Sequence, residues 1–131
     1  MKRVLLESPY AGTGNWLDRI VSRWLNIRYA RRCVRDSLTR GEAPIALHLL
    51  YPQPGILDDG DPVERELGIA AGLEWRFAAN ASVVYVDRGI SLGMDRGIAA
   101  AKRAGLKIEY RQLDGAPQSD AVDARDLGVG A

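Results

Sequence analysis

The chain has 131 residues, 47% of them hydrophobic, with 18 Lys and Arg against 17 Asp and Glu for a net charge of +1. A length of this order suits one domain that buries roughly two thirds of its unfolded surface, without staples. One Cys and one His exclude an intrachain disulfide and a Cys/His zinc site, and the near-neutral balance gives no global electrostatic case for nucleic acid or an acidic membrane as partner.

Met1–Glu7 starts basic but offers only three apolar residues before Glu7, too few for the apolar region of a signal peptide. No apolar run is long enough to span a bilayer, so a cytoplasmic chain without a membrane partner is expected. Val4–Leu6 reads as a buried strand that ends in the loop Ser8–Gly14, where Pro9, Gly12 and Gly14 break any regular ladder. Asn15 is a fair N-cap. Leu17, Ile20, Val21, Trp24 and Leu25 follow at helical spacing, and Ile27, Ala30, Cys33, Val34, Ser37 and Leu38 continue it to Arg40-Gly41. Periodicity leaves open whether this is one helix or two with a break near Leu25-Asn26.

Ala43–Leu50 is almost continuously apolar, which predicts a parallel strand covered on both faces, near the centre of a sheet. A turn-rich loop follows to Asp61, and Asp61-Pro62 supplies a cap with proline at the first helical position. That helix runs through Val63, Leu67, Ile69, Ala70 and Leu73 to about Ala79. Ala81–Val86 is a β-branched strand, Ser91–Met94 opens a last helix that Gly105 stops, and Leu106–Tyr110 alternates like an edge strand. After Leu113 the chain carries Asp114, Asp120, Asp123 and Asp126 against Arg125, so residues 114–131 read as an acidic, Gly/Ala-rich tail beyond a domain at 1–113.

Strand and helix alternate throughout, which predicts an α/β class: a single-domain, Rossmann- or flavodoxin-like three-layer sandwich with a mainly parallel sheet of about four to five strands. In such sheets ligands sit beyond the carboxyl ends of the strands, where the strand order reverses. The loops Ser8–Gly14, Leu50–Asp61 and Asp87–Gly93 fall there, and each leads toward a helix N-terminus that favours an anion. Gly12-Thr13-Gly14 lacks the third glycine of a dinucleotide fingerprint, and no Walker Lys-Ser/Thr pair is present.

Single residues carry both plain and functional readings. His48 either points into a pocket or is a buried, hydrogen-bonded imidazole. Tyr10 and Tyr51 end strands at the ligand edge, where an aromatic ring stacks on a base or packs a loop. Cys33 lies on an apolar helix stripe and reads as core. Arg28, Arg31, Arg32 and Arg35 make a basic stripe, usually a solvated face, that without interleaved aromatics is a weak case for nucleic acid. Trp16 and Trp24, if exposed, point to a homo-oligomer interface.

Five segments, taken in order, carry a resemblance: Val4–Gly12 (VLLESPYAG), Asn26–Ala30, Gly41–His48, Val83–Asp87 and Ser91–Met94. Together they resemble the nucleoside 2-deoxyribosyltransferase-like superfamily, above all its small bacterial and phage branches, over residues 3–111. The resemblance implies a nucleoside or nucleotide-derived ligand and no cofactor, and the composition gives no metal; with the strand-end loops read above, the expected pocket is formed by Ser8, Pro9, Tyr10, Gly12, His48, Tyr51, Asp87, Ser91, Gly93 and Met94. It also implies a glutamate on the last helix that attacks the anomeric carbon of an N-glycosidic bond, with a second carboxylate near the base.

The glutamate position falls on Gly97, which cannot form a glycosyl ester. Asp95, two residues earlier, and Glu74, where the base-side carboxylate belongs, are the candidate catalytic groups; Asp58, Asp59, Glu64 and Glu66 are further carboxylates. The preferred expectation is a protein that keeps the pocket and binds or sequesters a nucleotide-derived ligand, as a phage would use against a host defence. The alternative is a deoxyribosyltransferase or nucleoside hydrolase that uses another carboxylate, and the third reading is an interaction protein with a vestigial pocket.

Overall fold

Alternation along the strands sets the layers. The computed structural model describes residues 1–113, and the acidic tail expected at 114–131 lies outside the described residues. Four strands, β1 (Arg3–Glu7), β2 (Ala43–Ile45), β3 (Ala81–Tyr85) and β4 (Lys107–Arg111), form one all-parallel sheet in the order β2-β1-β3-β4. Three helices connect them: α1 (Trp16–Thr39), α2 (Pro62–Glu74) and α3 (Leu92–Arg103). The α/β class with a parallel sheet is therefore as the sequence predicts.

Side chains of a strand alternate between faces. Val4 and Leu6 of β1, with Ala81, Val83 and Tyr85 of β3, meet Tyr29 and Cys33 of α1 in one core. Val84 and Val86 turn the other way and pack with Ile90, Met94 and Ile98, so α3 covers the opposite face. By the same alternation Leu5 and Glu7 of β1 look toward α3. Helix caps follow the sequence: Asn15 accepts from the Asp18 amide at 3.0 Å, Asp61 from Val63 at 2.9 Å, and Ser91 from Met94 at 3.2 Å.

The question that periodicity leaves open is settled: the first helix is a single element of 24 residues with no break at Leu25-Asn26. Two expectations change. The strand expected over Ala43–Leu50 stops at Ile45, and Leu47–Leu49 forms a 3₁₀ turn instead. That strand is also an edge rather than a central one, and its residues are only partly buried. Its Pro44 has no amide hydrogen for a second neighbour, which an edge position tolerates and a central one does not. β3, buried at all five residues, takes the interior place beside β1.

A buried polar cluster ties the two outer strands across the α1 face. Arg111, the last residue of β4, donates from Nη1 and Nη2 to Glu42 at 2.7 and 2.6 Å, just before β2 begins. Ser37 also donates to Glu42, at 2.8 Å, and the Arg111 hydrogen bonds hold the Glu42 carboxyl below its usual range. Removing one partner of such a pair strands the other charge. Arg111→Met should therefore cost about 3–5 kcal/mol of unfolding free energy in urea titrations, and Arg111→Met/Glu42→Leu should recover much of that loss; equal losses in both variants would contradict this account.

Candidate functional site

The connection from β1 passes to one side, to β2, and the chain then returns past β1 to β3, so the strand order reverses between β1 and β3. Loops leaving the carboxyl ends of those two strands diverge and leave a crevice between them. A cavity of about 620 Å³ opens there. Its wall takes the loop after β1, the segment after β2, the inner face of α2 and the first turns of α3. That volume lies within the range of small-molecule sites.

Nine of the ten residues expected to bind a ligand share this wall: Ser8, Pro9, Tyr10, Gly12, His48, Tyr51, Ser91, Gly93 and Met94. Asp87 does not. It is turned to the α1 side, where it accepts from Tyr29 Oη at 2.5 Å and from the Leu113 amide, and it takes part in positioning α1 on the sheet. Of the two candidate catalytic carboxylates neither lines the cavity: Glu74 is exposed near the end of α2, and Asp95 is half-buried in the first turn of α3. Asp59 and Glu64 do line it, whereas Asp58 and Glu66 do not.

The loop after β1 is fixed by close backbone approach. A Cβ at Gly12 would fall against the Arg19 carbonyl and 2.9 Å from the Arg19 Cα, so only glycine lets the loop lie on α1. Asn26 Nδ2 donates to the Ala11 carbonyl at 3.3 Å, and its Oδ1 accepts from Arg88 Nε at 2.8 Å, which links the loops after β1 and β3. Tyr10 donates to the Pro52 carbonyl at 3.4 Å, with the Arg23 guanidinium 5.4 Å from its ring centroid. Ser8 Oγ and His48 Nε2 stand 2.7 Å apart. Trp75 Nε1 donates to Tyr51 Oη at 2.9 Å, so this tyrosine is oriented from α2.

Sequence reading missed the centre of the wall. Glu7, turned toward α3 by strand alternation, accepts from Arg76 Nη2 at 2.6 Å. Arg76 is buried; its Nη1 donates to the Gly72 carbonyl at 2.9 Å and its Nε to the Gly97 carbonyl at 3.2 Å. A Cβ built on Gly97 would fall against Glu7 Oε1 and 2.7 Å from Arg76 Nη2. The space a side chain at position 97 would need is thus taken by a carboxylate from β1. One signal for Glu7 was available: a charged residue closing an apolar strand directly before a ligand-edge loop. Arg76, between Trp75 and Phe77 in what reads as helix, gave none.

Two groups in the wall titrate far from their usual values. Burial raises the Glu7 carboxyl to about 7, against the opposing pull of Arg76. Burial lowers His48 to about 4, so its imidazole is neutral near neutral pH and serves as a hydrogen-bonding partner of Ser8, not as a cation. Among the described residues no group of three His, Cys, Asp or Glu is placed to hold a metal ion, and no helix is long and apolar enough to cross a membrane.

A family model described as Domain of unknown function (DUF7768) matches residues 2–111. No curated protein matches the chain. Among solved structures, a 2-deoxyribosyltransferase from the psychrotolerant bacterium Bacillus psychrosaccharolyticus is similar, with a TM-score of 0.54 at 15% identity over 95% of this chain and 89% of that one. At that identity the likeness is one of fold.

The two shifted groups act on stability in opposite directions. Between 4.5 and about 7 the folded chain holds a proton on Glu7 that the unfolded chain has lost, so this share of stability is present at low pH and disappears as pH rises. Between about 4 and 6.5 the folded chain lacks a proton that His48 carries when unfolded, so that share is present above 6.5 and disappears as pH falls. Glu42 and Glu109, held low by Arg111, act only beneath this window. On acidification from pH 6.5 to 4.5 the melting temperature of Glu7→Gln should fall relative to the wild type, and that of His48→Gln should rise relative to it. Three parallel melting profiles would refute the assignment.

Proposed function

We propose that this chain, which belongs to the family described as Domain of unknown function (DUF7768), binds a nucleoside or nucleotide-derived small molecule in the cavity at the β1/β3 reversal. The observation that carries this reading is the convergence of the three strand-end loops on one cavity of ligand size. The shared fold supports it, because the similar 2-deoxyribosyltransferase is described as a biocatalyst for the synthesis of nucleosides.

The chemistry of the wall fits such a ligand. Tyr10 and Tyr51 supply flat apolar surface for a heterocycle, and Ser8, His48 and Asn26 supply neutral hydrogen-bonding groups for sugar hydroxyls. Arg65, Arg88 and Arg96 bring positive charge to the rim, and Leu92 and Gly93 belong to the first turn of α3, where amides lack partners within the helix. A phosphate on the ligand would face that end. With Gly97 on α3, that helix itself contributes no reacting carboxylate to the cavity, and binding is the part of the function that the wall supports directly.

The exposed face of α1 supports a second copy of the chain as partner. Trp16, Leu17, Ile20, Val21, Trp24 and Leu25 are all exposed over its first three turns, a larger contiguous apolar surface than a lone domain usually leaves to water. Arg28, Arg31, Arg32 and Arg35 lie exposed farther along the helix, as a solvated basic face. Ile20→Glu/Trp24→Glu should lower the mass measured by light scattering to that of a monomer; a wild type that is already monomeric at all concentrations would refute the interface.

The ligand reading is tested by melting the protein against a panel of nucleosides, nucleoside 5′-monophosphates and cyclic nucleotides. A compound at a hundred times its dissociation constant adds about 2.7 kcal/mol of stability. At least one should raise the melting temperature, and Gly93→Asp, which puts a negative charge at the start of α3, should weaken any phosphorylated ligand more than its nucleoside. A panel without any shift removes the reading.

A further inference from the structure

We propose that Glu7, delivered from β1 into the space that Gly97 leaves on α3, is the reacting carboxylate of this cavity and cleaves the N-glycosidic bond of the bound nucleoside or nucleotide. The proposal rests on the reading of the cavity as a nucleoside or nucleotide site and adds turnover to it.

Three observations converge on Glu7. First, its carboxylate stands where the side chain of residue 97 would begin, so a helix-borne carboxylate and Glu7 are mutually exclusive occupants of one place. Second, Glu7 lines the cavity, whereas Asp95 and Glu74 do not. Asp59 and Glu64, the other carboxylates in the wall, belong to the loop before α2 and to its first turn, and Glu64 accepts from the Asp58 amide at 3.3 Å. Third, Arg76 is itself locked by the Gly72 and Gly97 carbonyls and takes Oε1 of Glu7. Among the described residues Oε2 has no such partner, which leaves one oxygen, held in a fixed orientation, for a ligand. A carboxylate held by a fixed partner with one oxygen left toward the cavity is the arrangement that nucleophilic displacement at an anomeric carbon requires.

The step balances with water as the only co-reactant. Oε2 of Glu7 forms a bond to the anomeric carbon as the bond from that carbon to the base nitrogen breaks, and the electron pair leaves with the base. The base takes a proton from water. The hydroxide so formed attacks the anomeric carbon of the ester and returns the carboxylate of Glu7 to Arg76, so that one water is consumed and free sugar and free base result.

The test measures release of free base by chromatography from nucleosides and nucleoside 5′-monophosphates, alongside ligand-induced melting shifts, in three proteins. The wild type should show both a shift and release. Glu7→Gln, which keeps size and a hydrogen-bonding group toward Arg76, should keep the shift and lose release by at least about 100-fold. Glu7→Ala/Gly97→Glu, which takes the Glu7 carboxylate away from the Cβ of residue 97 and leaves Arg76 to shift and pair with the new one, should regain part of it. Shifts without any release in the wild type, or release by Glu7→Gln at the wild-type rate, overturn the proposal and leave the binding reading intact. Absence of both shift and release in the wild type overturns the binding reading itself.

Discussion

A buried guanidinium holds the cavity end of this domain in one arrangement. Arg76 reaches from the turn after α2 to the carbonyl of Gly97 in α3 and to the carboxylate that closes β1, while a third bond returns to Gly72 in its own helix. A charge removed from water in this way is tolerated only while its partners stay in place. The strand, the helix before β3 and the helix after it are therefore fixed relative to one another at the crevice where the strand order reverses. Gly97 belongs to the same constraint, since any side chain there would push apart the pair that joins the elements.

Much of the fold was legible because it depends on signals that a chain displays locally. The β-branched run Ala81–Val86, the caps Asn15, Asp61 and Ser91, and the alternation of strand and helix specify a parallel sheet by their order alone. The segment Ala43–Leu50 misled because an apolar run reports coverage, not position in the sheet. Its proline was the better guide, since it marks an edge, and His48 sits in a 3₁₀ turn and not at the end of a strand.

The site was legible in its loops and illegible in its charges. Ser8, Tyr10, Ser91 and Gly93 are announced by turn residues at strand ends, and the fold brings them to one cavity. Glu7 and Arg76 are 69 residues apart, and their pairing exists only because the fold brings the turn after α2 to the end of β1 beside α3. Periodicity also could not show that the apolar residues of the first turns of α1 stay exposed, because spacing gives a helix its stripe without saying what the stripe meets. The glycine at position 97 of α3 is visible in the sequence, but the approach of the Glu7 carboxylate to it is visible only in three dimensions.

The edge position of β2 has one more consequence. Ala43 sends its amide inward to the Lys2 carbonyl at 2.8 Å, so the amide of the next residue would point away from the sheet, and that residue is Pro44. The rim thus lacks a donor at the midpoint of its three-residue strand, where an incoming chain would need to hydrogen-bond. Cross-β stacking finds no template along this edge of the sheet, which leaves the outer side of β4 as the one strand edge with a full run of amides among the described residues.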